Sequence, residues 1–178
     1  MKKVVLGVVA VLVLSSAAYL ARGQAPAPVA DAAKVRVGTY DPRAVAVAFV
    51  ASEFNPVRAK MKEHQEAKAA GDGAKVAELE AWGKTYQRQL HFQGFGRVPV
   101  GDLLAPVREG VAGVAQAEGL AAIAMECDFV ADGVEKVDVT DKLVALYSPT
   151  EKTLENVRSI RAVEPIALTK LADLPADH

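Results

Sequence analysis

Between Asn55 and His91 the chain reads as two helices folded back on each other, and few folds accommodate such an arm. Asn55-Pro56 is a capping residue followed by proline, the signature of a helix start. From there to about Ala70 the residues are mostly polar, with Val57, Met61, His64 and Lys68 at spacings of 4, 3 and 4. Ala70-Gly71-Asp72-Gly73 breaks the helix. From about Ala74 to His91, Val76, Leu79, Gly83, Tyr86 and Leu90 recur at 3, 4, 3 and 4, a heptad-like seam. Two such helices joined by a tight glycine turn predict an antiparallel hairpin over about 56–91. Each arm is roughly 24 Å long at 1.5 Å per residue. With the turn centred near Asp72, His64 faces Glu80 and His91 faces Glu53.

The flanking segments predict the body that carries this arm. Lys34 to Tyr40 alternates as a strand and ends at Asp41-Pro42, where Asp41 caps a helix over roughly 42–53 carrying Val45, Phe49 and Val50. After the hairpin, His91-Phe92-Gln93-Gly94-Phe95-Gly96 reads as an interrupting loop. A helix over roughly 102–118 follows, with Val100, Leu103, Leu104, Val107, Val111 and Val114 on its buried face, Pro106 implying either a start near Leu103 or a kink, and Gly119 as its left-handed cap. Leu120 to Val130 alternates as a second strand, Ala131-Asp132-Gly133 turns, and Val134 to Val139 adds a third. Asp138 or Thr140 caps a helix holding Leu143, Val144 and Leu146. Ser148-Pro149-Thr150-Glu151 opens a last one to about Ile160. The expected class is α+β: a small β-sheet with a protruding antiparallel helical hairpin and flanking helices. This single domain spans 34–160 and is followed by a C-terminal tail, 161–178.

The N-terminal residues set the compartment. Lys2 and Lys3 precede a run of 17 uncharged residues, Val4 to Leu20, and Ala21-Arg22-Gly23 offers a small-x-small cleavage site before Gln24. Residues 1–23 therefore read as a signal peptide or an N-terminal anchor, and 24–33 as an Ala/Pro-rich linker. Either way the domain is periplasmic or secreted, where ATP and NAD(P)H are not freely available. Without residues 1–23 the chain has 18 basic and 22 acidic residues, a net charge of −4. A nucleic-acid binder shows a basic face, so that class is set aside. The single cysteine, Cys127, leaves no internal disulfide. Its neighbours Met125 and Phe129 predict a small buried apolar residue.

Chemistry-bearing patterns are sparse. His64, His91 and His178 form no metal-ligand array, and the hairpin geometry sets His64 and His91 roughly 16 Å apart at 1.5 Å per residue. No GxSxG, Walker A or GxGxxG sequence is present, so no cofactor is implied. The strongest constellation for a small-ligand or catalytic site surrounds the HFQGFG loop: His91, Gln93, Arg43 and Glu53, with His91 and Glu53 as a proton-transfer pair or a hydrogen bond at the hairpin base. Glu126 and Asp128 alternate on one strand face, as an exposed strand end or in a salt bridge to Arg36 or Arg43.

Three segments carry a resemblance: Val35-Arg36-Val37-Gly38-Thr39-Tyr40, the stretch Val107 to Ala115 with Gly119-Leu120, and Asp138-Val139-Thr140-Asp141-Lys142-Leu143-Val144. In this order the chain resembles the OmpH/Skp-like periplasmic chaperones, over about 35–147. It also resembles a group of uncharacterised secreted bacterial proteins with similar GTYDPRAVAVAF, HFQGFG and VDVTDKLVALYSPTEKTL segments. The first resemblance implies a strand leading into a helical arm, a returning strand pair, a trimeric assembly and unfolded outer-membrane clients. The resulting expectation is a non-catalytic binding or chaperone-like role toward unfolded or envelope proteins, with self-association into a homo-oligomer. Membrane contact would come only through residues 4–20 if they are retained. Intact mass measurement of the exported protein separates the two N termini: release predicts a chain starting at Gln24, and anchoring predicts an intact Met1.

Overall fold

The computed structural model describes residues 34–172. Residues 1–33, where a signal peptide or anchor and a linker are expected, and residues 173–178, His178 included, lie outside the described residues. Val35–Thr39 forms β1, which stops where Asp41-Pro42 turns the chain into α1, Pro42–Ala51. Asp41 Oδ1 accepts the Arg43 backbone N–H at 2.9 Å, and Pro42 sits in the first turn, where a missing N–H costs nothing. α1 is Ala/Val-rich and buried on most of its circumference, which makes it the central helix.

α2, Val57–Ala70, and α3, Gly73–Phe95, form the hairpin. Gly71 closes it at φ 72°, a left-handed conformation that glycine adopts without strain. The Asp72 carboxylate then accepts the Lys75 N–H at 2.9 Å to start α3. His64 Nε2 lies 3.2 Å from Glu80 Oε1, the register expected for a turn near Asp72. One expectation is corrected here. HFQGFG is not an interrupting loop, because α3 continues through His91, Phe92, Gln93 and Gly94 to Phe95. A glycine inside a helix costs about 1 kcal/mol, too little to stop one whose other residues favour it. The helix stops at Gly96, where the side chains of Leu168 and Leu171 occupy the space a Cβ would need.

The return path is α4, Gly101–Leu104, a single 3₁₀ turn over Ala105–Val107 containing Pro106, and α5, Arg108–Ala117. Pro106 has no N–H for the helix ladder, so the helix breaks there. Then come β2, Ala122–Ala124, β3, Val134–Asp138, α6, Thr140–Ala145, α7, Glu151–Arg161, and α8, Leu168–Ala172. α7 starts two residues after the proline because Thr150, not Ser148, caps it: its hydroxyl accepts the Thr153 N–H at 3.2 Å. The core joins Val45, Ala48 and Phe49 of α1 to Val100, Leu103, Val139, Leu143, Tyr147 and Val157.

The structure fits the α+β class, but the turn-linked strand pair expected within it is corrected. The chain is mostly helical, and its three strands are all parallel in the order β2-β1-β3. β2 and β3 pair with opposite edges of β1, so the turn at Ala131–Gly133 returns the chain to a parallel start instead of making a hairpin. β2 is also far shorter than the alternation from Leu120 to Val130 predicts. It pairs only from Val37↔Ala122 to Thr39↔Ala124, and beyond Thr39 β1 gives way to α1, leaving no partner backbone. The expected C-terminal tail is corrected as well. Ile166 N–H donates to Phe95 C=O at 2.9 Å, and Leu171 is buried against the end of α3, so 165–172 form a strap. Among the described residues no helix is long and apolar enough to cross a membrane.

Gly38 lies in β1 between both neighbours, and a Cβ there would sit 2.8 Å from Leu120, 3.1 Å from Ile123 and 3.2 Å from Val139. Gly38→Val is expected to cost about 1–3 kcal/mol by overpacking. Thermal unfolding followed by circular dichroism should show a lowered midpoint, and an unchanged one would refute the tight sheet packing.

Candidate functional site

Two concave regions carry chemistry. The first lies outside the carboxyl ends of the strands, where open parallel sheets commonly bind ligands. It is a polar crevice of about 570 Å³ walled by Asp41, Arg43, Arg97, Glu126, Asp138 and Arg161. Its geometry follows from the turns after β1 and β3. Arg43, 4% exposed, points back along α1 and grips Asp41 through Nε at 3.1 Å and Nη2 at 2.7 Å. Its Nη1 donates to Val163 C=O at 2.8 Å, tying α1 to the segment after α7. The Asp41 N–H donates to the Thr140 hydroxyl at 3.0 Å, and Thr140 donates to Asp138 from its hydroxyl at 2.5 Å and its amide at 2.8 Å. Arg161 completes the chain with 2.7 Å to Asp138 and 2.8 Å to Asp141. At the mouth Arg97 pairs with Glu126 at 3.1 Å.

Burial pushes the Asp138 carboxyl up, but the Thr140 hydrogen bonds and the Arg161 charge outweigh it and hold the group below the usual carboxylate range. The deep charges of this crevice are thus paired with one another. Its network is built to hold elements together, and only its mouth is disposed toward a ligand.

The second region is apolar. One cavity of about 490 Å³ lies between α2 and α3, lined by Met61, Leu79, Trp82, Gly83, Tyr86 and Leu90. Another of about 640 Å³ lies between α1, α3 and α7, lined by Val47, Val50, Leu90, His91, Phe95 and Ile160. Val50, Gln87 and Leu90 line both, so the two form one groove from the arm onto the body. Trp82 stacks on Tyr86 at 4.8 Å and 15°, giving the floor a rigid aromatic step. Met61 is 59% exposed on the wall.

The four expected site residues do not converge. Arg43 belongs to the crevice. His91 lies in the groove with its ring edge-on to Phe95 at 5.7 Å. Gln93 is buried on another side of α3, its amide donating to Asp102 at 2.8 Å. Glu53 is exposed and makes no hydrogen bond or ion pair among the described residues. The hairpin register does bring His64 to Glu80, but it forms no hydrogen bond between His91 and Glu53. Cys127 is not a core residue either: it is half-buried at the crevice wall, because the strand expected to bury it ends at Ala124. Glu126 finds Arg97, not Arg36 or Arg43. No group of His, Cys, Asp and Glu able to hold a metal ion occurs among the described residues.

Sequence reasoning passed over Trp82, Arg97 and Arg161. The only tryptophan of the chain, set in a mostly polar helix, was the available signal for the groove. Arg161 had none, since its partners lie 20 and 23 residues away. Compared with protein-family models, with curated proteins and with solved structures, the chain matches none.

Arg43→Met removes both guanidinium bonds to the Asp41 carboxylate, leaving it only the backbone N–H of residue 43, and strips the Val163 carbonyl of its donor, at an expected cost of about 2–4 kcal/mol in urea unfolding. A loss under 1 kcal/mol, of the order of an exposed pair, would contradict the clamp. The lowered Asp138 pKa sets the sign of a pH effect. Its contribution is complete above the unfolded-state value and is lost as pH falls through the folded one. Stability should therefore drop from about pH 4 downward. Asp138→Asn should flatten that part of the profile, and an unchanged acid limb would rule this group out.

Proposed function

We propose that this protein is an exported cell-envelope binding protein with a non-catalytic, chaperone-like role of the OmpH/Skp kind. It holds apolar segments of unfolded polypeptides in the groove between its hairpin and body. The observation that carries this reading is the continuity of the groove: an apolar lining runs from Met61 and Trp82 past Leu90 to Phe95, along a hairpin whose outer faces are mostly polar. Open apolar surface of this kind, rimmed by polar groups, marks protein-binding sites, and its length suits an amphipathic helix or an extended segment. The arm lets the surface reach beyond the body, which suits a partner without a fold of its own.

A second reading has one observation in its favour. The crevice mouth with Arg97 and Lys136 lies where open parallel sheets take small ligands, beside the end of HFQGFG. The groove is preferred because Val50, Met61 and Phe95 leave apolar surface open to solvent along it, whereas the crevice charges mostly satisfy each other.

Trp82 provides the test. Titrating the protein with an unfolded outer-membrane polypeptide is expected to give a saturable change in its emission. Met61→Glu places a charge on the apolar wall and is expected to weaken binding about tenfold or more. Saturable binding that Met61→Glu leaves intact, or no saturable change at all, would remove client holding from this groove.

A further inference from the structure

We propose that the groove also receives the Phe129 loop of a second copy of this chain. The connection from β2 to β3 displays Phe129 84% exposed, with Val130 beside it. A phenylalanine so far out touches almost nothing of its own chain, and its apolar surface is open for a partner to bury. The loop's charge names that partner. Residues 125–135 hold four acidic residues and no basic one. Glu126 and Glu135 already pair with Arg97 and Arg36, but Asp128 and Asp132, which flank Phe129, make no ion pair among the described residues.

The hairpin has the opposite balance. Residues 57–95 hold seven basic and five acidic side chains. Among its cations Arg58 and Lys84 have no ion pair among the described residues, and they directly follow the groove-lining Val57 and Gly83 in sequence. An acidic loop tipped with an aromatic ring thus matches an aromatic-floored groove on a basic arm. Trp82 and Tyr86 offer the ring an edge or a face. Each copy carries one loop and one groove, so two copies related by a two-fold axis that exchange them reciprocally leave no open ends. The proposal rests on the groove being a docking surface, as in the function above, and adds the occupant that fills it when no client is present.

Sedimentation velocity of the full chain over rising concentration, at low and high salt, is the test. The expected result is a dimer that salt weakens, with Phe129→Asp and Met61→Glu each weakening it about tenfold or more while circular dichroism stays unchanged. A change in Trp82 emission should accompany dimerisation in the parent and be missing in Phe129→Asp. A monomer at every concentration, or a dimer indifferent to Phe129→Asp, overturns the proposal. Titrating both proteins with the unfolded polypeptide separates the two ideas. Client binding in a chain that never dimerises removes only the self-docking. A Phe129-dependent dimer that binds no client upholds the self-docking and removes client holding.

Discussion

A guanidinium almost without access to water sits where the chain leaves its central strand, and the body is organised around keeping it paired. Arg43 needs Asp41 and the Val163 carbonyl, Asp41 needs Thr140 through its amide, and Thr140 is set by Asp138. The ends of β1 and β3, the starts of α1 and α6, and the end of α7 are thereby locked at one point. Burying a charge is costly unless every donor is answered. Here each of the three guanidinium nitrogens donates a hydrogen bond within the chain, which makes the arrangement specific as well as tolerable.

That lock sets what can be left open elsewhere. With α1 buried on most of its circumference and held by α6 and α7, the body has little apolar surface to spare for the arm. The hairpin packs on it only at its base, and its own seam closes on few large side chains. Gly83 contributes no side chain to that seam, and Met61 stays largely exposed. The groove is the consequence: apolar positions sufficient to pair two helices, too few to seal them. A binding role follows more naturally from this surface than from the crevice, where acids and bases face each other.

Legibility in the sequence tracked the distance over which each interaction acts. The Asp41 cap, the Gly71 turn, the interruption at Pro106 and the His64–Glu80 register all depend on residues near in sequence or on a rigid helical repeat, and each was readable. The end of α3 was not, because Gly94 and Gly96 look alike in sequence. Only the docking of Leu168 and Leu171 makes the second a stop. The length of β2 was not readable either, since alternation from Leu120 to Val130 says nothing about where the partner strand ends. For the candidate site, Arg43 was singled out for the right chemistry but placed with the wrong companions. His91, Gln93 and Glu53 lie close in sequence or across the predicted hairpin, yet a helix that does not break at His91 turns them to different sides.

The amino-acid sequence by itself determined the local vocabulary of this protein: a strand, a capped central helix, a polar hairpin with a sparse apolar seam, and a capped helical return. Those are set by backbone sterics, capping hydrogen bonds and side-chain periodicity, which act within a few residues. Only the tertiary structure decided that the strands run parallel, that the C-terminal segment straps the end of α3, and that Arg43 closes a network reaching Arg161. It also decided that two half-buried seams join into one open groove. These depend on which surfaces meet across separations that run from tens of residues to more than a hundred. That choice belongs to packing and to the pairing of buried charge, which no local pattern encodes.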